Sequence, residues 1–186
     1  KFYLDQSYIK NFNWLIPNDA NSSFFIELAC GTCFYSKRIF KNCKKFIGYD
    51  VNNTFIQYLN RKHSNEKIMF KTLDLNNEFP KEISDYSIMF DALYHFKNNK
   101  LLSSEDLLKL MILNSKKGVM IIEGIRNKFN PNSFLLKHIL AQFKNPGTEP
   151  QYYSFKKEEL LEILDKIKNN YDFKSDDNFA YIKISK

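Results

Sequence analysis

The chain's 186 residues leave room for one domain and a short appendage, and exclude two large domains. A hydrophobic fraction of 44% with 16% aromatics supplies a buried core and excludes global disorder. Lysine and arginine total 28 against 21 acidic residues, a formal +7 that would favour a polyanionic partner only if it were gathered on one face, and it is mostly scattered lysine.

Residues 1–23 carry Leu4, Tyr8, Ile9, Phe12 and Trp14 at helix-like spacing and read as an N-terminal helical lid. Phe24 to Leu28 reads as a buried strand, followed by the turn Ala29-Cys30-Gly31-Thr32-Cys33 and a helix from about Phe34 to Asn42. Lys45 to Tyr49 forms a second strand ending at Asp50, and Asn52 or Asn53 can cap a helix whose apolar face is Phe55, Ile56 and Leu59. Ile68 to Lys71 gives a third strand and Tyr86 to Phe90 a fourth. Ser103-Ser104-Glu105-Asp106 reads as a capping box opening the helix Leu107 to Asn114, and Gly118 to Glu123 is the fifth strand. Residues 126–153 form a long connection with a helix signal after Pro131, a second candidate lid over the substrate. After a helix from about Ser154 to Asn169, Tyr171 to Lys174 and Phe179 to Ile184 stand too close together for a helical crossover and should pair antiparallel.

Continuous apolar strands alternating with amphipathic helices argue for a sheet buried on both faces. The expected fold is therefore α/β: a doubly wound, mostly parallel seven-stranded sheet with a C-terminal antiparallel hairpin and helices on both faces, spanning residues 24–186. No run approaches the roughly 18 apolar residues of a membrane helix, and the N-terminus lacks a basic segment leading into an apolar run. Three cysteines, an odd number, cannot form a fully paired disulfide framework. These features predict a cytoplasmic protein without a membrane partner.

The chemistry gathers at the first turn. A strand ending in Glu27-Leu28, then a tight turn of small residues opening a helix, lets a ligand approach the backbone at the switch point of the sheet. Asp50, at the end of the second strand, stands where a carboxylate accepts both hydrogens of a ribose diol, so a nucleoside ligand is implied. The dinucleotide pattern G-x-G-x-x-G is not met, since Gly31 is the only glycine of the turn.

Through these residues the chain resembles the Rossmann-like class I S-adenosylmethionine-dependent methyltransferases, whose first motif is a hydrophobic strand, an acid, a hydrophobic residue and G-x-G-x-G. Glu27 to Cys33 matches with Ala29 and Cys33 at the outer glycine positions. Tyr49-Asp50-Val51, Leu73-Asp74-Leu75, the fourth strand with its turn to Phe96, and Lys117 to Glu123 continue the likeness. The resemblance implies S-adenosylmethionine as cofactor and methyl transfer to a small-molecule acceptor. It assigns Asp50, with Val51 beside it, to the ribose, Asp74 to the adenine amino group and Leu75 to the adenine through its N–H. Ala29 and Gly31 fall at the methionine end, Phe90 in the cofactor site, and Glu27 is expected to order the turn more than to touch the donor. A side chain at Cys33 would crowd the methionine moiety. The turn Asp91-Ala92-Leu93-Tyr94-His95 would face the transferring methyl, with Tyr94 and His95 as catalytic candidates, His95 as base.

Other readings compete. Cys30-Gly31-Thr32-Cys33 is also a CxxC between strand and helix, where a redox pair sits, but the alternation is too long for a thioredoxin-like fold. No metal is expected, because these two cysteines and Cys43, with no nearby histidine, do not make four ligands. Phe34 to Lys45 mixes aromatics and cations as an RNA-binding surface would, yet a helix with one packed and one solvated side explains it better. Nucleic acid is thus possible but not favoured. An RNA or protein acceptor is the second reading, and a methyltransferase-like partner subunit with weak catalysis the third. Glu123 and Arg126 read as an ion pair at a strand end, and His63 and His138 as exposed helical residues.

Overall fold

A computed structural model describes residues 6–125 and 155–186 of the chain. In chain order the elements are α1 (Gln6–Leu15), β1 (Phe24–Leu28), α2 (Lys37–Phe40), β2 (Lys45–Asp50), α3 (Asn53–His63), β3 (Ile68–Thr72) and β4 (Ser84–Phe90). They continue with α4 (Ser104–Leu113), β5 (Ser115–Gly124), α5 (Lys157–Ile167), β6 (Tyr171–Ser175) and β7 (Phe179–Ser185), with a short 3-10 turn at Leu93–Phe96. The strands form one seven-stranded sheet in the order β3-β2-β1-β4-β5-β7-β6. β1 to β5 run parallel, and β7 inserts antiparallel between β5 and β6. The expected doubly wound sheet and its terminal hairpin are both present.

Residue alternation along the strands explains why both faces are covered. Phe25, Phe46, Ile88, Met120, Ile122 and Tyr181 pack on one side with Tyr8, Phe12 and Leu15 of α1 and with Ile56 and Leu59 of α3. Their neighbours Ile26, Ile47, Met89, Val119, Ile121 and Ile182 pack on the other with Leu107, Leu108 and Met111 of α4 and Leu160 and Leu164 of α5. Each fully buried side chain of this size contributes about 1.5–3 kcal/mol relative to exposure, so both helical layers are held by burial.

Local signals fix the helix ends. Asn52 caps α3, its side chain accepting from Thr54 N and Phe55 N, with Arg61, Lys62 and His63 in the last turn complementing the helix dipole. Ser103 caps α4 by accepting from Asp106 N, but the reciprocal half of the expected capping box is replaced by a Ser103 hydroxyl donating to Asp106 Oδ2 at 2.6 Å. At the end of α5, Lys168 takes the left-handed conformation with φ of 59° and stops the helix.

One element differs from expectation. The helix expected over Phe34 to Asn42 contracts to the four residues of α2. Cys33 has φ of 55°, so the chain leaves the turn in a left-handed step, and Ser36 spends its hydroxyl on Glu27 instead of capping. Tight turns such as Cys33 N to Cys30 O at 2.8 Å and Ile39 N to Ser36 O at 2.8 Å take the place of helical bonds. The connection 126–153, the helix signal after Pro131, Leu4, Arg126 and His138 lie outside the described residues.

Candidate active site

The strand order reverses direction between β1 and β4, the point at which loops from neighbouring strands diverge and leave a crevice. A cavity of about 460 Å³ opens there, at the carboxyl ends of the parallel strands. Its wall follows the sheet: Asp74 and Leu75 after β3, Asp50 and Val51 after β2, Ala29 to Thr32 after β1, and Phe90, Asp91, Ala92 and His95 after β4.

The first turn is built from backbone, not from bulk. Ala29, Gly31 and Cys33 all adopt positive φ, at 50°, 51° and 55°. These are the three positions at which the resemblance places glycine. An L-residue in this conformation costs about 1–2 kcal/mol, so the turn holds its shape against the preference of two of its three residues, as strained sites in functional regions do. At Gly31 a Cβ would meet nothing within 4 Å, which leaves the backbone open toward the cavity.

Glu27 pins the turn from beneath. It is 2% exposed, and its Oε2 accepts from Ser36 Oγ at 2.6 Å and from Cys33 Sγ at 3.3 Å. Burial pushes its carboxyl up to about 8, beyond what the two hydrogen bonds offset. Glu27 does not line the cavity, so it orders the turn without reaching the ligand space. Cys33 likewise turns inward and is 1% exposed, which removes the crowding expected from a side chain at that position. The Cys33 thiol is raised first by its neighbour Cys30 and then by burial, and the Cys30 thiol, against the opposing effect of Cys33, is raised by burial, the opposite of a reactive pair. Both are free thiols, and with Glu27 their ligand atoms lie within 4.8 Å of one another.

Asp50 is held by two backbone donors. Its Oδ2 accepts from Gly31 N at 2.8 Å and its Oδ1 from Asn52 N at 2.8 Å. Each oxygen keeps a second lone pair, so the carboxylate is oriented and still able to accept from a ligand. Asp74 is fixed by one backbone and two side-chain donors, Asn76 N at 3.0 Å and Asn76 Nδ2 at 3.1 Å to its Oδ1 and Asn77 Nδ2 at 2.8 Å to its Oδ2. Leu75 N, beside it, makes no hydrogen bond among the described residues. Across the rim Asn99 Nδ2 donates to Asn76 Oδ1 at 2.7 Å and ties the turn after β4 to the loop after β3.

At the β4 end the geometry departs from expectation in one residue. His95 lines the cavity at its exposed rim, and desolvation of the ring holds its pKa below the usual value despite the attraction of Asp91 and Asp50. It is therefore neutral at pH 7 and able to accept a proton. Tyr94 does not line the cavity; its ring lies 4.0 Å from that of His95, and burial with Asp91 and Glu123 nearby raises its phenol to about 12.

The sequence placed Asp91 in the turn after the fourth strand and Glu123 at the end of the fifth, but gave Asp91 no role of its own and Glu123 only that of an ion pair. Asp91, with φ of 55°, lines the cavity near Tyr35, which enters from the first turn. Only the place of Asp91 straight after a strand end could have marked it. Glu123 is 0% exposed, accepts from Leu93 N at 2.8 Å through Oε2, and leaves Oε1 without a partner among the described residues. Arg126, the partner expected for it in a strand-end ion pair, lies outside the described residues.

The seven-stranded sheet, with its cavity at the switch point and its left-handed first turn, is a Rossmann-like fold. Residues 26–106 match the model of a family described as methyltransferase domain, a span covering β1 to β4 and the start of α4. Over that span, less than half of the chain, the protein is similar to methyltransferase domains. Solved structures share the fold at low identity. The magnesium protoporphyrin IX methyltransferase of Synechocystis PCC 6803, with bound SAH, is 15% identical with a TM-score of 0.65, covering 97% of this chain and 82% of its own. The N-methyltransferase NodS of Bradyrhizobium japonicum WM9 is 11% identical with a TM-score of 0.64, covering 98% of each chain. A SAM-dependent methyltransferase from Aquifex aeolicus is 12% identical at 0.61, again over 98% of each. No curated protein matches the chain in sequence. Among the described residues no helix is long and apolar enough to cross a membrane.

Proposed function

We propose that the chain transfers the methyl group of S-adenosylmethionine to a small-molecule acceptor by in-line displacement, with the donor lying across the ends of β3, β2 and β1 and the acceptor at the end of β4. The observation that carries this reading is the turn at Ala29, Gly31 and Cys33, where all three glycine positions of the family motif keep positive φ although two hold other residues. The fit to the donor is a matter of what the walls offer. Asp50 presents two oriented oxygens to a ribose diol, Leu75 N an unspent donor to adenine, and Asp74 an acceptor for the adenine amino group. The open backbone at Gly31 leaves room for the methionine end, between Val51 and Phe90.

The bound sulfonium supplies a methyl group already activated for displacement. The protein's part is placement, which for a well-oriented pair is worth about 7–11 kcal/mol of barrier. His95, neutral at pH 7, takes the proton that an acceptor hydroxyl or ammonium must lose. Tyr94 acts through His95, packing against its ring at a tilt of 37° and fixing its orientation. A small acceptor is favoured because the cavity is walled by side chains from four strand ends and offers no arginine among its described residues for phosphate or base readout. The test is transfer of label from methyl-tritiated S-adenosylmethionine to the small-molecule, RNA and protein fractions of a cell extract presented separately. Label is expected in the small-molecule fraction; label confined to RNA or protein would overturn the acceptor class.

A further inference from the structure

We infer that the acceptor is a cationic amine, recognised by Asp91 at the end of β4; this rests on the reading above of where the donor lies. Strands in a sheet are about 4.8 Å apart, and Asp74, Asp50 and Gly31 follow one another at the ends of β3, β2 and β1. The donor's adenine, ribose and methionine ends are assigned to those three places in turn. Asp91 stands one strand further on, beside His95, where the methyl must meet its acceptor.

The charge of this end is one-sided. The chain as a whole carries +7, yet no lysine or arginine lines the cavity among the described residues, and no ion pair among them uses Asp91. Behind it lies Glu123, fully buried with Oε1 unpartnered among the described residues. Asp91 is held in place by its backbone, whose N–H donates to Ile122 O at 2.6 Å, and its carboxyl lies near the Tyr35 hydroxyl. A carboxylate kept in a left-handed backbone conformation, with no ion-pair partner among the described residues, at the acceptor end of the cavity calls for a cation from the ligand. Tyr35, Phe34 and Phe90 add aromatic faces to the same wall, which favour ammonium over a neutral group. A phosphate or carboxylate acceptor would meet repulsion instead.

The chemistry balances. The ammonium N–H bonds to Asp91, and His95 takes one ammonium proton, leaving the nitrogen lone pair free. That lone pair forms the C–N bond as the S–CH₃ bond breaks and its electrons return to sulfur. The products are a methylated ammonium, S-adenosylhomocysteine and an imidazolium that returns its proton to solvent.

The experiment uses wild-type protein saturated with S-adenosylhomocysteine, titrated in a calorimeter with 2-phenylethylammonium, its uncharged isostere 2-phenylethanol, and 3-phenylpropanoate. The ammonium should bind at least tenfold more tightly than the alcohol, and the carboxylate not detectably. Equal binding of ammonium and alcohol, or no binding of the ammonium, would overturn the inference from the wild-type protein alone. Asp91→Asn should erase the preference while leaving S-adenosylhomocysteine affinity unchanged, since asparagine accepts positive φ better than most residues. A variant that keeps the preference, or one that loses S-adenosylhomocysteine, would overturn it too, the latter by putting Asp91 on the donor's own ammonium. Failure of the wild-type protein to bind S-adenosylhomocysteine is a different result: it overturns the donor site itself and this inference with it.

Discussion

Replacing Glu27 by glutamine should make the protein markedly less sensitive to alkaline pH, because the carboxyl under the first turn is buried and pushed up to about 8. In the unfolded chain the same group ionises near 4.5. Between those two values the native state holds a proton that the unfolded state has released, so stability is fully present below about pH 4.5 and declines as pH rises through 8. One pKa unit corresponds to 1.36 kcal/mol, so the whole window is worth an upper bound of about 5 kcal/mol. For a chain of this size a kcal/mol moves the melting temperature by about 2–4 °C, which puts the expected difference on the order of 10 °C. Glutamine keeps the carbonyl that accepts from Ser36 Oγ and cannot ionise. Melting curves of wild type and Glu27→Gln at pH 5 and pH 9 give the answer by difference, so the pH dependence of Glu123 and Asp91 cancels. The wild type should lose far more stability than the variant between the two. Parallel losses in both would show that Glu27 is ionised in the native state and that the turn is not held by a neutral carboxyl.

Asp50→Ala removes the acceptor of Gly31 N and Asn52 N together with the two proposed ribose contacts, each charge-assisted bond being worth about 1.5–3 kcal/mol; S-adenosylhomocysteine affinity measured by calorimetry should fall at least tenfold. Gly31→Val should cost about 1–2 kcal/mol from the positive φ alone and put a branched side chain into the cavity, so the variant should fold by circular dichroism but fail to bind cofactor. His95→Ala should lower kcat about 10²- to 10⁴-fold for an acceptor that must lose a proton, with cofactor affinity unchanged. Because the His95 pKa lies below the usual histidine value, the wild-type rate should hold its plateau down to below about pH 6.5 and fall only under it, as the imidazole protonates.

The strands were legible because each is a short apolar run bounded by turn residues, and β1, β2 and β4 fall within two residues of where the runs end. The terminal hairpin was legible from the shortness of Ser175 to Asn178. α2 was not, because its length depends on φ at Cys33 and on Ser36 turning to Glu27, both consequences of the tertiary site and not of local propensity. In the site, the cavity gathers Ala29, Gly31, Asp50, Val51, Asp74, Leu75, Phe90 and His95, residues that end strands or open turns in a fixed order along the sheet. Glu27 and Tyr94 fall outside it because neighbouring positions on a strand or a 3-10 turn point to different sides. Asp91 and Tyr35 reach the same cavity from turns after two different strands, and no spacing in the sequence records that proximity.

The most direct measurement is a calorimetric titration of the wild-type protein with S-adenosylmethionine and, separately, S-adenosylhomocysteine. Asp50, Leu75 and the open turn at Gly31 predict saturable binding of both at one site per chain, with Asp50→Ala weakening both alike. No heat and no thermal stabilisation by either ligand, from a protein folded by circular dichroism, would contradict a donor site at the ends of β1, β2 and β3.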